Sequence, residues 1–223
     1  MPLILRENID NGEIGLWKVS EEIETLLVLA NLTVPDTITY SGITAIHRKK
    51  EWLATRALLN ELIPEQHLIK YHIDGRPCLE NSTTSISISH STGYIAIILH
   101  SDAMPGIDIE LVSRKVGKVG SRFLSPDESA VCNEEAALSN YRMLLHWCAK
   151  EAIYKMVPFS DIEFASDIRI LLGNSAEDSG SFRGIFNHKS GPIPITLYYK
   201  VIGEVLMVWG LVDENKFHNL KAK

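Results

Sequence analysis

The stretch Ser85 to His100 (SISISHSTGYIAIILH) restricts the fold more than any other part of the chain. Strict Ser/Ile alternation gives a strand one hydroxyl face and one apolar face, because successive side chains point to opposite sides of a sheet. Ser87, Ser89 and Ser91 fall on one face, and Ile86, Ile88 and His90 on the other. The alternation breaks at Ser91-Thr92-Gly93 and an apolar run follows, which is the pattern of a β-hairpin. Upstream, Ile43 to Ile63 (ITAIHRKKEWLATRALLNELI) places Ile43, Ile46, His47, Lys50, Leu53, Ala54, Ala57, Leu58 and Leu62 near helical spacing. Pro64 follows, so the spacing predicts a long amphipathic helix.

The second half has the same style without the same sequence. Tyr141 to Val157 reads as a helix with Pro158 after it. Strands are expected near Phe164 to Leu172, at Ile193 to Val201 and at Glu204 to Val212, the last two meeting at Gly203. Pro105-Gly106 punctuates the chain before a short strand at Ile107 to Leu111, and Asn174 to Gly180, polar and rich in Gly and Ser, reads as a surface loop. Each half thus offers a long helix with a meander. The expected class is α+β, with two pseudo-symmetric lobes, 1–103 and 104–223, each a small antiparallel sheet packed with a long helix.

Composition narrows the function. The chain has 223 residues, 45% of them apolar, enough for one large core or two small ones. Met1 to Asp10 carries Arg6, Glu7 and Asp10 and lacks the basic-then-apolar order of a signal peptide, so export is not expected. The apolar runs Leu26 to Ala30 and Ile95 to Leu99 are far below the roughly 18 residues of a membrane span. Cys78, Cys132 and Cys148 are odd in number with no CxxC pair, which fits a reducing cytoplasm. A formal charge of −6 argues against a broad nucleic-acid footprint, leaving room for a small anionic ligand held by local cations.

Four segments can carry chemistry. In Gly106-Ile107-Asp108-Ile109-Glu110, residues two apart in a strand share a face, so Asp108 and Glu110 project together while Ile107 and Ile109 enter the core. Two carboxylates on one face attract a hard cation. Mg²⁺ takes one or two carboxylates plus substrate phosphates. For the pentapeptide alone, a strand edge with solvated acids is the more ordinary reading. On the second helix Trp147, Glu151 and Lys155 fall at i, i+4 and i+8, so Glu151 can complete a three-carboxylate site and Lys155 can meet phosphate. The ordinary alternative is a surface Glu-to-Lys pair. Ser89 and His90 at the end of the alternating strand offer hydroxyl and imidazole donors to phosphate, or simply decorate an edge strand. The stretch lacks the G-x-S-x-G elbow of a hydrolase nucleophile. Asp74-Gly75-Arg76-Pro77 reads as a constrained turn presenting Arg76.

In this order and spacing the chain resembles the surfactin-type 4′-phosphopantetheinyl transferases. The matching segments are GRP (Gly75 to Pro77), ISISHS (Ile86 to Ser91), GIDIE (Gly106 to Glu110), FLSPDE (Phe123 to Glu128) and WCAKEAIYK (Trp147 to Lys155). The resemblance implies an active site in a cleft between two lobes, with Asp108, Glu110 and Glu151 around Mg²⁺ on the pyrophosphate of coenzyme A. It implies that Gly75, Arg76, Pro77, Ser89 and His90 hold the nucleotide and its 3′-phosphate, that Lys155 meets the phosphates, and that Phe123 to Glu128 lies near the carrier protein. The family's amino-terminal phosphate-binding cations match poorly; Arg48 and Arg56 are carried over in their place. The family often has Lys where Arg76 stands and an aromatic where Cys78 stands.

The implied reaction moves phosphopantetheine from coenzyme A to a serine of an apo carrier protein and releases 3′,5′-ADP, with Glu151 as general base and Lys155 on the departing phosphate. The expected catalyst is monomeric, since the two-lobed variant carries both halves of the cleft. Two rivals remain at this stage. A different magnesium phosphotransferase or nucleotide hydrolase would turn over without a carrier protein, and a non-catalytic coenzyme A or carrier-protein binding module would bind without turnover.

Overall fold

The computed structural model describes residues 2–159, 161–173 and 177–218. It is an α+β structure with antiparallel sheets, divided into the units Met1–Asp102 and Ala103–Lys223.

The first unit opens with a hairpin, β1 (Leu3–Ile9) and β2 (Gly12–Lys18), joined through Asn11 at φ 53°. Three helices follow: α1 (Ile23–Ala30), α2 (Val34–Gly42) and α3 (Ile46–Leu62). A small ribbon of β3 (Ile69–Tyr71) and β4 (Pro77–Leu79) precedes the hairpin β5 (Ser85–Ser91) and β6 (Tyr94–His100). The main sheet runs β1-β2-β6-β5, with Ser91 opposite Tyr94 and Gly93 at φ 76°, so the alternation and its break place this hairpin correctly. α3 covers one face. Its Leu53, Ala54, Ala57 and Leu58 share a core with Trp17, Ile86, Ile95 and Ile97, each large side chain contributing about 1.5–3 kcal/mol by leaving water. Gly15 permits the approach, since a Cβ there would stand 2.7 Å from Leu58 Cδ1. α3 begins three residues later than the periodicity predicts, because Ile43 and Ala45 are extended and separate it from α2.

The second unit begins with β7 (Met104–Leu111), then α4 (Pro126–Asn133), α5 (Ser139–Met156) and the short α6 (Phe164–Asp167). Its strands β8 (Ile168–Leu171), β9 (Ser179–His188), β10 (Gly191–Ile202) and β11 (Val205–Val212) precede α7 (Asn215–His218). The sheet order is β7-β11-β10-β9-β8. Cys148, Ala149, Ala152 and Ile153 of α5 pack with Ile170, Leu197, Leu206 and Val208 from the sheet.

Several expectations are corrected here. Pro105-Gly106 does not interrupt the chain: both residues lie inside β7, which tolerates proline because it is the sheet's edge. Phe164 to Asp167 is helical, and the strand expected from Phe164 starts at Ile168. Residues 174–176 of the expected loop lie outside the described residues, while Ser179 and Gly180 already belong to β9. No helix among the described residues is long and apolar enough to cross a membrane.

Candidate active site

Gly106 sets the geometry from which the site is built. A Cβ at this position would stand 2.0 Å from the carbonyl oxygen of Ala152 and 2.6 Å from Met156 Cγ, so only glycine lets α5 lie this close to β7. Asp108 and Glu110 follow at spacings of two and so share the α5-facing side of the strand with Gly106. Both are largely buried, at 6% and 8% exposure. The alternative of solvated edge acids is therefore set aside. Ile107 and Ile109 are fully buried and lie on the opposite face from the two acids.

The close packing brings the charged end of α5 onto β7. Lys155 Nζ donates to the carbonyl of Ile107 and to Asp108 Oδ1, each at 2.8 Å. Lys155 thus reaches across to the strand. Cys148, fully buried one turn before Ala152, carries a thiol that burial and the Asp108 carboxylate push up. Arg114 pairs with Glu110, its guanidinium 5.5 Å from the centre of the Trp147 ring. Trp147 is braced edge-on by Phe123 at 5.2 Å.

Glu151 sits among these groups, half-buried. Burial raises its carboxyl above the ordinary range, the charge of Asp108 adds to the rise, and Lys155 and Arg114 oppose it. A carboxylate so placed is a better proton acceptor than an exposed one. Asp108 and Lys155, predicted from two distant segments, are brought into contact here, and Glu151 lies close enough to feel the charge of both.

The donor chemistry of Asp108, Glu110 and Glu151 fits Mg²⁺, which prefers hard carboxylate oxygens. In this arrangement, however, no three His, Cys, Asp or Glu side chains among the described residues converge to hold a metal, and the two strand acids are engaged by Lys155 and Arg114.

The nucleotide-binding candidates of the first unit stand on separate elements, α3, the β3–β4 turn and β5. Gly75, at φ 83°, makes the tight turn between β3 and β4, and Pro77 opens β4. Arg76 does not project freely from that turn: its Nε and Nη2 lie 2.9 and 2.8 Å from Asp74 Oδ2, and this pairing holds the Asp74 carboxyl below the usual range. Ser89 is buried on one face of β5, whereas His90 is exposed on the other, so they do not act as a joint pair of donors. Arg48 is exposed and pairs with Glu51 at 3.4 Å. Arg56 departs most from its assigned part. It is 5% exposed, pairs with Asp36 at 3.0 Å and stacks 3.3 Å from the Trp52 ring centre, which makes it a strut between α2 and α3.

The segment Phe123 to Glu128 is also framework for most of its length. Phe123 and Leu124 are core residues, Ser125 caps α4 in a reciprocal box with Glu128, and only Pro126 and Asp127 are exposed. The residue that sequence reasoning passed over is Lys150. It is fully buried and donates to Glu128 Oε2 (2.7 Å), Phe164 O (2.7 Å) and Ile168 O (2.6 Å). Glu128 in turn accepts from the backbone N–H groups of Ser125 and Ile170. A lysine next to Glu151 looks like part of the chemistry, yet it ties α4, α5 and β8 together. The absence of a second acid within helical reach of Lys150 was the available signal that its partner is distant.

No curated protein matches the chain. Residues 104–197 match the family model described as ACPS, the 4′-phosphopantetheinyl transferase superfamily. That segment is less than half of the chain, but it contains β7 and α5 whole, and with them Asp108, Glu110, Arg114, Glu151 and Lys155. The match supports the phosphopantetheinyl transferase superfamily for this stretch, the one in which the carboxylates and the lysine stand together.

Proposed function

We propose that the protein transfers 4′-phosphopantetheine from coenzyme A to a serine hydroxyl of an apo carrier protein, as a surfactin-type transferase does. The observation that carries this reading is the buried pair Asp108 and Glu110 facing Glu151 and Lys155 within the matched segment. In the reaction the serine oxygen bonds to the phosphorus that bears pantetheine, and the bond from that phosphorus to 3′,5′-ADP breaks. The serine proton passes to Glu151, whose raised affinity for a proton suits it to this part. Lys155, held on the Ile107 carbonyl and Asp108, offers its charge to the phosphate oxygens as the leaving group gains charge. Mg²⁺, held by Asp108, Glu110 and Glu151, would supply charge neutralisation on the pyrophosphate.

In the first unit, Gly75, Arg76, Pro77, Ser89, His90 and Arg48 are assigned to the nucleotide; Arg56 is withdrawn because its charge is committed to Asp36. Acceptors of acyl or peptidyl carrier type fit the reading equally. The test incubates the protein with coenzyme A, Mg²⁺ and apo carrier proteins and measures carrier mass and 3′,5′-ADP together. One phosphopantetheine gained per 3′,5′-ADP released supports transfer. Nucleotide release with no change in carrier mass would point to a hydrolase instead.

A further inference from the structure

Arg114 has no step in the transfer chemistry above, yet its position is fixed from both sides. Its backbone N–H donates to Leu111 O at 2.9 Å in the turn that leaves β7, and its carbonyl accepts from Asn140 Nδ2 at 2.9 Å at the start of α5. From this anchorage the guanidinium reaches back to Glu110 and over Trp147, whose ring is held by Phe123 and Phe164. The two partners differ in freedom. The Arg114 side chain is 43% exposed and the Glu110 side chain 10%, so the cation has room to leave and the carboxylate does not. Guanidinium stays charged at any physiological pH, so it is a permanent rival for a carboxylate that a metal must also use. Lys155 stands in the same relation to Asp108.

We propose that Arg114 is a built-in competitor for Glu110, an internal cation that occupies the carboxylate until a divalent metal displaces it, and that it thereby sets how tightly the metal binds. The inference rests on the metal site assigned under Proposed function. Displacement also removes the guanidinium from the face of Trp147, one of four tryptophans in the chain.

The experiment titrates Mg²⁺ into the full chain without coenzyme A, followed by calorimetry and by tryptophan fluorescence. The wild type is expected to bind saturably with a fluorescence change that Trp147→Phe removes. Arg114→Gln should bind roughly threefold to tenfold more tightly, the range set by losing an ion pair to a largely buried carboxylate, and show no fluorescence change. Arg114→Lys keeps the charge and should stay close to wild type. Equal or weaker binding by folded Arg114→Gln overturns the proposal. Should that variant fail to fold by circular dichroism, a wild-type fluorescence change that is absent, or that survives in Trp147→Phe, overturns it instead. Asp108→Asn separates the two levels. Saturable wild-type binding lost in Asp108→Asn, with Arg114→Gln unchanged from wild type, removes only the competitor role. No saturable binding by wild type removes the metal site as well.

Discussion

Replacing Lys150 by Met tests whether this lysine is framework or chemistry. The ammonium is fully buried and its three bonds go to one carboxylate and two carbonyls, so every proton it carries has a partner. Methionine has nearly the same shape. What it removes is the charge that pairs with Glu128, itself 3% exposed, at 2.7 Å. Breaking a buried pair from one side costs about 3–5 kcal/mol, because the remaining charge is uncompensated. At roughly 2–4 °C per kcal/mol for a chain of this length, the melting transition should fall by about 6–20 °C. Glu128→Gln combined with Lys150→Met should recover much of the loss, since neither charge is then stranded and one side-chain oxygen still accepts a backbone N–H. Thermal and urea denaturation of the two single variants and the double variant measure the coupling. A loss below about 1 kcal/mol for Lys150→Met, or a double variant worse than the sum of the singles, would refute the strut reading.

Gly106→Ala should push α5 off β7, because the new Cβ would meet the Ala152 carbonyl oxygen at 2.0 Å; overpacking of this kind costs about 1–3 kcal/mol, and a melt together with carrier modification should both decline. Arg56→Met should lower the melting temperature of the first unit by stranding Asp36, at about 3–5 kcal/mol, whereas a phosphate-binding arginine would instead raise the coenzyme A KM at an unchanged melt. Glu151→Gln, compared with wild type in EDTA, carries the pH test. Because folding raises the Glu151 pKa through burial and Asp108, the stability linked to its protonation is present below the unfolded pKa and lost as pH rises through the folded one. The Gln variant, still flanked by Asp108, Lys155 and Arg114, should therefore gain on wild type as pH rises across that window and hold a constant advantage above it.

What could be read from the residues follows the physics of each segment. The Ser85 to His100 hairpin was legible because its two faces differ in chemistry at period two, and the two long helices because apolar residues recur on a stripe that a proline then closes. β9 was not legible. Its inward residues are Phe182, Gly184 and Phe186, and the glycine that makes room for Ile153 Cδ1 interrupts the apolar pattern. The helices α1 and α2 are short, and α2 depends on the capping box of Thr33 and Asp36 and on the Asp36–Arg56 pair, which joins residues twenty apart. Asp108 and Glu110 could be placed on one face from spacing alone. That Lys155 meets Asp108 and not Glu151's own helical surface depends on how far α5 sinks onto Gly106, which no one-dimensional pattern records. Arg56 and Lys150 show the same limit from the other side, since a charged residue in a motif looks functional until its burial and partner are known.

In the proposed reaction Glu151 takes the serine proton at a site formed with Asp108, Glu110 and Lys155. The most direct measurement is the intact mass of an apo carrier protein incubated with coenzyme A and wild type, Asp108→Asn or Glu151→Gln across a Mg²⁺ titration, each variant confirmed folded by circular dichroism. Wild type is expected to transfer phosphopantetheine only with the metal present, and Asp108→Asn to recover in part at high Mg²⁺. Glu151→Gln should be slower by a factor of about 10² to 10⁴ that extra metal does not restore, the range typical of losing a general base. Near-normal transfer by folded Glu151→Gln, or metal-independent transfer by wild type, would contradict this reading.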